Sequence, residues 1–360
     1  MAKSLLFIPD ISGFTQFVKT TEIEHSQHVI AELLEVLIDA NTLDLELAEI
    51  EGDALFFYKE NIQLTQQSLL DQIESMFTAF YSHLKILEKN RVCSCNACAS
   101  APKLELKIIA HAGDLQFIDV KGNRKPFGQV VIETHRLLKN SIANDNYTLI
   151  SCDLENEIGS LKNNDLLNFQ TGSDSYDSKE IKYQYAVVKT SKLQLKPFEE
   201  PKLITFNTPP EIAYEKEFNV SSEVLLEQIT NYKNRHNWVD GVDEFIYNEN
   251  EVTRLGSEHI CVINGRQLKF KTITKKGKPN QIVYGELTKI PKLIEELYQF
   301  FIITPISDNT CLLSLETYWK EKSPIKKIVI ALFVKRQLVK NNKAAIKNLY
   351  QYLSLNKTDN

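Results

Sequence analysis

Two stretches, FIPDISGFT (residues 7–15) and EIEGDALFFY (residues 49–58), decide the fold of the N-terminal half. An apolar run ends at Asp10 and another begins directly after Asp53, so each aspartate is expected at the end of a strand. If the two strands are neighbours, both carboxylates lie at one sheet edge and can share a hard cation such as Mg²⁺ or Mn²⁺. The spacing leaves a second interpretation open, in which both aspartates are ordinary turn residues.

The hydrophobic pattern around these stretches predicts alternating strands and helices. Helices are expected over residues 15–40, 64–88 and 130–140, and strands over residues 43–50, 54–58, 104–110, 115–120 and 147–152. We expect residues 43–50 and 54–58 to pair as one hairpin, and residues 104–110 and 115–120 as a second. The resulting order, β-α-β-β-α-β-β-α-β, is typical of a ferredoxin-like α+β layer.

Four segments, in this order, resemble the motifs of class III nucleotidyl cyclases, the adenylyl and guanylyl cyclases. The stretches around Asp10 and Asp53 are similar to the two metal motifs of that family. LKIIAHAGDL (106–115) resembles its strand-turn motif, and FGQVVIETHRLL (127–138) resembles the helix that carries its transition-state residues. The resemblance covers roughly residues 3–155, includes a bacterial branch of uncharacterised cyclase-like proteins, and implies a cyclase-like domain over residues 1–190.

The resemblance implies roles for particular residues. Asp10 and Asp53 match the metal ligands, and Ile11 can add its backbone carbonyl. Arg136 matches the catalytic arginine that stabilises charge on the transferring phosphate, and Lys107 stands where the family usually has a phosphate-contacting arginine.

The remaining substrate contacts are expected at a helix start and at two base-reading positions. Residues 13–15 (Gly13, Phe14 and Thr15) open a helix whose free N–H groups suit a phosphate chain. Glu49 and Gln129 stand where the family reads the nucleotide base, and they are not an adenine-reading pair. Ile132 replaces an asparagine that orients the substrate, and loss of one such donor commonly lowers the rate by about 10²–10³-fold.

These residues predict a cyclase-like signalling protein that binds a nucleoside triphosphate and has weak or absent cyclic nucleotide synthesis. An active cyclase that makes cyclic AMP or cyclic GMP is the first alternative, and a carrier of lipid or another hydrophobic ligand is the second. Because family members combine metal ligands from one chain with the arginine of another, the single cyclase-like unit implies a homodimer.

A cysteine-rich segment, CSCNAC (residues 93–98), lies between a predicted helix and a predicted strand. The thiolates of Cys93, Cys95 and Cys98 can bind a soft metal such as Zn²⁺, for which a closed site needs a fourth ligand. The sequence does not choose among His83, His111 and Cys152 for that position. The alternative is a small-residue loop with reduced thiols.

Residues 191–210 are rich in proline and polar residues and are expected to form a linker. Residues 211–356 resemble the START-like (SRPBCC, polyketide-cyclase-like) superfamily, which implies a helix-grip fold with a cavity for an apolar small ligand. The pattern rests on an opening strand at 211–220, a helix followed by Trp238, several strands and a long terminal helix. We expect five aromatic residues to be core or cavity wall, with core favoured: Trp238, Tyr298, Phe300, Phe301 and Trp319.

The terminal helix, from about residue 324 to 353, is basic and amphipathic. Its apolar positions are Ile328, Val329, Leu332, Phe333 and Leu338. Such a helix can lie on an anionic membrane, but an exposed basic face of a closing helix is the favoured interpretation, so a membrane partner is not expected.

The overall composition gives no pull toward nucleic acid. The chain of 360 residues has 42 Lys and Arg against 47 Asp and Glu, a formal net charge of -5. No apolar stretch reaches the roughly 18–20 residues of a membrane span. We therefore expect a cytoplasmic protein that does not bind nucleic acid.

Overall fold

The computed structural model describes residues 3–93, 95–176 and 179–355, and for Glu24 the backbone only. The chain forms two compact units, residues 1–88 with 96–198 and residues 89–95 with 199–360. Among the described helices, none is both long enough and apolar enough to cross a bilayer.

The first unit contains strands β1 (Ser4–Ser12), β2 (Glu46–Glu51), β3 (Ala54–Lys59), β4 (Glu105–Gly113), β5 (Gln116–Val120), β6 (Asn123–Phe127), β7 (Tyr147–Ser151), β8 (Gln170–Tyr176) and β9 (Lys179–Val187). Its helices are α1 (Phe14–Thr20), α2 (Ile23–Asp39), α3 (Gln66–Lys89), α4 (Asn96–Ser100), α5 (Gln129–Leu137) and α6 (Cys152–Ile158).

Seven of these strands form one sheet in the order β2-β3-β1-β4-β7-β9-β8. The β4–β7 pair is parallel, and the other pairs are antiparallel. Strand β1 lies inside the sheet between β3 and β4, and eight of its nine residues are buried. The exception is Asp10, which is only partly exposed. A carboxylate in an otherwise apolar, buried strand needs a compensating charge or ligand.

Two predicted elements differ from the structure. The predicted helix over residues 15–40 is broken between α1 and α2, where the hydroxyls of Thr20 and Thr21 donate to the carbonyls of Gln16 and Phe17. Such side-chain bonds to the preceding turn compete with the helix ladder.

The predicted pairing of residues 104–110 with 115–120 is wrong. Strand β4 pairs with β1 and β7, whereas β5 pairs with β6 in a separate two-stranded sheet. The turn between β5 and β6 is Lys121-Gly122, and both residues have positive φ, 54° and 82°. That geometry is typical of a two-residue hairpin turn.

The second unit contains strands β10 (Ile212–Phe218), β11 (Glu244–Ile246), β12 (Glu258–Ile263), β13 (Arg266–Ile273), β14 (Ile282–Ile290), β15 (Ile294–Ser307) and β16 (Thr310–Lys320). Its helices are α7 (Ser222–Thr230), α8 (Pro324–Val329) and α9 (Lys335–Leu355), with a 3₁₀ segment at Tyr232–Asn237 and a π-helical segment at Ile330–Val334.

These strands form one antiparallel sheet in the order β10-β16-β15-β14-β13-β12-β11. Strands β10 and β16, the first and last of the unit along the chain, are therefore neighbours. The second half of α9 packs on the core of this unit through Ile346, Leu349 and Leu353. Trp238 and Phe301 belong to the same core.

The other predicted wall residues also have defined places. Tyr298 and Phe300 are buried in a second core, where Phe206 contacts both rings. Trp319 lines a groove of about 620 Å³ whose other lining residues are mostly charged. Four of the five aromatic residues are therefore core residues, as favoured from the sequence.

Candidate metal and nucleotide site

The sheet register brings Asp10 and Asp53 to the same place. Asp10 lies opposite Ala54 of β3 and opposite Lys107 of β4. The backbone N–H of Ile11 donates to the carbonyl of Asp53 at 3.0 Å, which fixes the β2–β3 turn beside the end of β1. The short EGD turn and the pairing of β1 with β3 thus place two carboxylates at one edge of the sheet.

These carboxylates carry more negative charge than their surroundings compensate. Burial raises the pKa of Asp10, against the opposing effect of Lys107, whose Nζ lies 3.4 Å from Asp10 Oδ1. Burial, and secondarily the charge of Asp10, raises the pKa of Asp53 to about 6. Two carboxylates share one ammonium, so a bound cation would relieve the repulsion between them.

The donor set at this edge fits a hard cation. The donors are carboxylate oxygens, which Mg²⁺ and Mn²⁺ prefer over softer ligands. Next to them, Gly13 adopts a positive φ of 88° and the chain turns into α1, which begins at Phe14 and Thr15. Ile11 is fully buried.

The two predicted base-reading residues lie on different elements with different partners. Glu49 is exposed on β2 and its Oε2 lies 3.1 Å from Lys125 Nζ. Gln129 is the first residue of α5, and its Nε2 donates to Glu133 Oε1 at 3.0 Å. These two contacts do not join Glu49 and Gln129 to each other.

Helix α5 presents Ile132 and Arg136, one helical turn apart. Ile132 is an apolar residue with 47% exposure, and Arg136 is partly exposed. Residues four apart lie on the same helix face, so both belong to one surface of α5.

A chain of polar side chains, buried except for Lys179, connects α5 to the sheet and was not assigned from the sequence. His111 Nδ1 lies 2.8 Å from Ser151 Oγ, and His111 Nε2 lies 3.4 Å from Glu133 Oε2. Lys179 donates to the other Glu133 oxygen. Burial lowers the pKa of His111, while for Glu133 the hydrogen bonds from Lys179 and Gln129 overcome burial and lower the pKa.

This polar chain ties α5 to strands β4, β7 and β9, because its members come from those four elements. It therefore sets the position of the helix that carries Gln129 and Arg136. The sequence signal was His111 in the HAG segment at the end of β4, whose partners are far from it along the chain.

The cysteine segment has a histidine beside it. Within the first unit, Cys98 of α4 is the cysteine of this segment that lies next to a histidine. Cys98 Sγ lies 3.6 Å from His25 Nδ1.

The histidine beside Cys98 is therefore none of the three candidates named from the sequence for the fourth ligand. His83 instead contacts Glu32 at 2.8 Å, and His111 contacts Ser151. Cys152 begins α6. His25 lies in the first turn of α2, and α2 packs against α4. The local sequence around His25 does not indicate this contact.

Comparisons with known proteins give the following matches. A family model described as a protein of unknown function (DUF2652) matches residues 30–147. The uncharacterised protein Rv2561/Rv2562 of Mycobacterium tuberculosis is 33% identical over 122 residues, which is 34% of this chain and 57% of that protein. The chain thus spans little more than half the length of this curated relative.

Similar solved structures are adenylyl and guanylyl cyclase domains, over about half of this chain. The adenylyl cyclase CyaB from P. aeruginosa is 16% identical, with 51% of this chain and 93% of that chain covered and a TM-score of 0.37. A guanylyl cyclase domain of the RhoGC fusion protein from Blastocladiella emersonii is 13% identical, with 52% and 97% covered and a TM-score of 0.38.

Proposed function

We propose that residues 1–190 form a cyclase-like signalling domain that binds a nucleoside triphosphate with Mg²⁺ or Mn²⁺ at Asp10 and Asp53. The observation that carries the proposal is the convergence of these two carboxylates, beside a single lysine, at the buried edge of the sheet. Two like charges placed together in a partly buried site are unfavourable unless a ligand compensates them.

The chain's own groups have separate parts in this proposal. Asp10 and Asp53 hold the cation, and the backbone N–H groups of residues 13–15 face the phosphates. Divalent cations supply charge compensation for the attacking and leaving oxygens of phosphoryl chemistry. Arg136 of a second copy stabilises charge on the α-phosphate, so the proposed active assembly is a homodimer.

Cyclic nucleotide synthesis is proposed to be weak or absent, for two reasons. Ile132 supplies no hydrogen bond where the resembling family has asparagine, which commonly lowers the rate by about 10²–10³-fold. Lys107 is already engaged with Asp10 at 3.4 Å, so it is less available to a phosphate.

The test measures binding and product separately. Purified full-length protein is titrated with ATP or GTP and Mn²⁺ by calorimetry, and incubated mixtures are analysed for cyclic nucleotide by chromatography. We expect binding that Asp53→Asn removes and that Asp308→Asn, in an exposed turn, leaves unchanged. Binding with little product supports the proposal, rapid product formation supports the active cyclase, and absence of binding contradicts both.

Ile132→Asn tests the stated reason for weak activity. Restoring the amide is expected to raise product formation by about 10²-fold with little change in nucleotide affinity. Sedimentation velocity of the wild-type chain checks the homodimer.

We also propose that the thiolates of Cys93, Cys95 and Cys98 bind Zn²⁺, because their spacing along the chain suits a soft metal. The support within the first unit is His25, which lies beside Cys98 and can serve as the fourth ligand. The competing interpretation, reduced thiols in a loop, does not account for a histidine nitrogen 3.6 Å from Cys98 Sγ.

Cobalt substitution tests this metal site directly. Co²⁺ titrated into metal-free protein is expected to give the intense visible absorption of a tetrahedral thiolate site. Cys98→Ser should lose that absorption, and Cys152→Ser, which changes a cysteine outside the CSCNAC segment, should keep it. Equal spectra for both variants would refute the assignment.

For residues 211–356 we propose a START-like ligand domain that regulates the first unit. The support is the antiparallel sheet in which the first and last strands are neighbours, with a long helix packed on its core. Mass spectrometry of organic extracts of the purified protein tests it, and a stoichiometric apolar molecule is the expected result. A carrier of lipid alone would show that molecule without any nucleotide binding.

A further inference from the structure

An apolar stripe faces solvent at the start of the terminal helical region of the second unit. Its members, with their exposed fractions, are Ile325 (75%), Ile328 (61%), Val329 (37%), Leu332 (55%) and Phe333 (71%). Their spacing of i, i+3, i+4, i+7 and i+8 is the pattern by which a helix normally faces a core. Here that pattern faces outward.

The stripe is separate from the part of the same region that does pack on the core. Ile330 is the buried residue of the segment 324–334, and α9 inserts Ile346, Leu349 and Leu353 into the core of the unit only farther along. The stripe therefore does not stabilise the folded unit. A group of large exposed apolar side chains on one element usually marks an interaction surface.

The segment that carries the stripe has charge of one sign along its sequence, although four glutamates of other elements line the groove beside Lys327 and Lys335. Residues 322–355 contain no Asp or Glu, and their basic residues are Lys322, Lys326, Lys327, Lys335, Arg336, Lys340, Lys343 and Lys347. Three of them have acidic partners from outside this range: Lys322 with Glu295 at 4.0 Å, Lys326 with Glu321 at 3.6 Å and Lys335 with Glu211 at 3.3 Å. Lys327, Arg336 and Lys340 are exposed.

We propose that the apolar stripe and its flanking lysines dock this protein on a bilayer surface that bears anionic headgroups. The segment 324–336 would lie in the plane of the interface, with Leu332 and Phe333 among the acyl chains and the lysines at the headgroups. Complementarity of charge favours this occupant, because each basic side chain near an anionic surface adds attraction. A second copy on the same stripe would instead bring two positive surfaces together.

From the sequence, the favoured interpretation is that the basic face of this helix is exposed to solvent while its apolar face packs on the core. The exposed fractions of the apolar side chains change that interpretation. The exposed face includes the apolar residues and not only the lysines. The proposal is independent of nucleotide binding, so either can fail without the other.

Vesicle co-flotation of the full-length chain tests the docking surface. Phosphatidylcholine vesicles with and without phosphatidylserine serve as the two membranes. We expect binding to the anionic vesicles only, lowered about tenfold or more by Leu332→Ser with Phe333→Ser, since two large apolar side chains no longer enter the interface. Lys326→Gln with Lys327→Gln should weaken binding to the anionic vesicles and make the remaining binding less sensitive to salt, because less of the attraction is then electrostatic.

The matched control is Leu203→Ser, which changes an apolar side chain of 56% exposure elsewhere in the chain. It should bind like the wild type. Absence of binding, equal binding to both vesicles, or no effect of the serine pair would overturn the proposal. So would a dimer that the serine pair converts to monomer in sedimentation velocity without vesicles, because the stripe would then join two copies.

Discussion

Asp53→Asn separates the repulsion between the two site carboxylates from their use in binding a cation. The substitution keeps the size of the side chain and removes its charge. Because the pKa of Asp53 is raised from 3.8 to about 6, its ionised form is destabilised in the folded protein. We therefore expect the variant to be more stable than the wild type at pH 7 without divalent metal.

The magnitude follows from the pKa shift. A shift of about two units corresponds to roughly 3 kcal/mol when each unit is about 1.36 kcal/mol. Asp53 is partly exposed and solvent screens its charge, so we expect about 1 kcal/mol in the free energy of unfolding. For a unit of this size, that is a rise of about 2–4 °C in Tm.

The pH dependence has a definite sign. The folded pKa is raised, so the destabilisation by Asp53 is complete above about pH 6 and absent below the ordinary pKa of 3.8. The difference between variant and wild type should thus shrink as the pH falls from 6 toward 4. Excess Mn²⁺ should reverse the order at pH 7, because only the wild type keeps both carboxylates.

Thermal denaturation followed by circular dichroism measures these effects. It is carried out with and without Mn²⁺, at pH 7 and at about pH 4. Asp308→Asn, in an exposed turn, should change nothing in either medium. An Asp53→Asn protein that is clearly less stable than wild type at pH 7, or that Mn²⁺ stabilises as much as wild type, would refute the reasoning.

Three further predictions concern buried groups. Glu286→Ala leaves the buried guanidinium of Arg235 without its carboxylate, so urea denaturation should show a loss of about 3–5 kcal/mol, with a smaller loss for Glu286→Gln. Burial lowers the pKa of His259 from 6.5 to about 4, so between these pH values the unfolded chain binds a proton that the folded chain does not. The free energy of unfolding should therefore fall as the pH drops from about 6.5 to 4. His259→Phe should make the free energy of unfolding depend less on pH over this range. In Gly113→Ala the new Cβ would lie 2.6 Å from Val130 Cγ2, so the free energy of unfolding should fall by about 1–3 kcal/mol in the same assay.

The sequence was sufficient to bring Asp10 and Asp53 together because the relevant contacts are simple. A hairpin turn and two strand ends with clear apolar runs define both positions. The resemblance to cyclases of the N-terminal half rested on the same motifs. The assigned roles of Arg136, Glu49 and Gln129 remain predictions.

Other features depend on contacts between distant parts of the chain. His25 lies beside Cys98 because α2 packs against α4, and the partners of His111 come from two later elements. The parallel pairing of β4 with β7 joins residues that are far apart in the sequence. The pattern therefore favoured the shorter connection, a hairpin of β4 with β5, which the structure does not contain. Local periodicity does not contain such information.

The apolar stripe shows a different limit. The periodic pattern at Ile328, Leu332 and Phe333 was visible in the sequence, but periodicity gives only the existence of a face and not what covers it. The exposed fractions of those side chains supply the missing fact.

The ion pair between Lys107 and Asp10 means that a divalent cation would enter this edge by exchange. The ammonium of Lys107 that the cation displaces stays attached to the neighbouring strand β4. It therefore competes with the cation for Asp10 at a fixed local concentration that dilution does not reduce. Such an internal competitor raises the apparent Kd for the metal, so half-saturation needs a higher concentration of free cation. Strand β4, which carries Lys107, would thereby set how much cation the protein needs to hold a triphosphate.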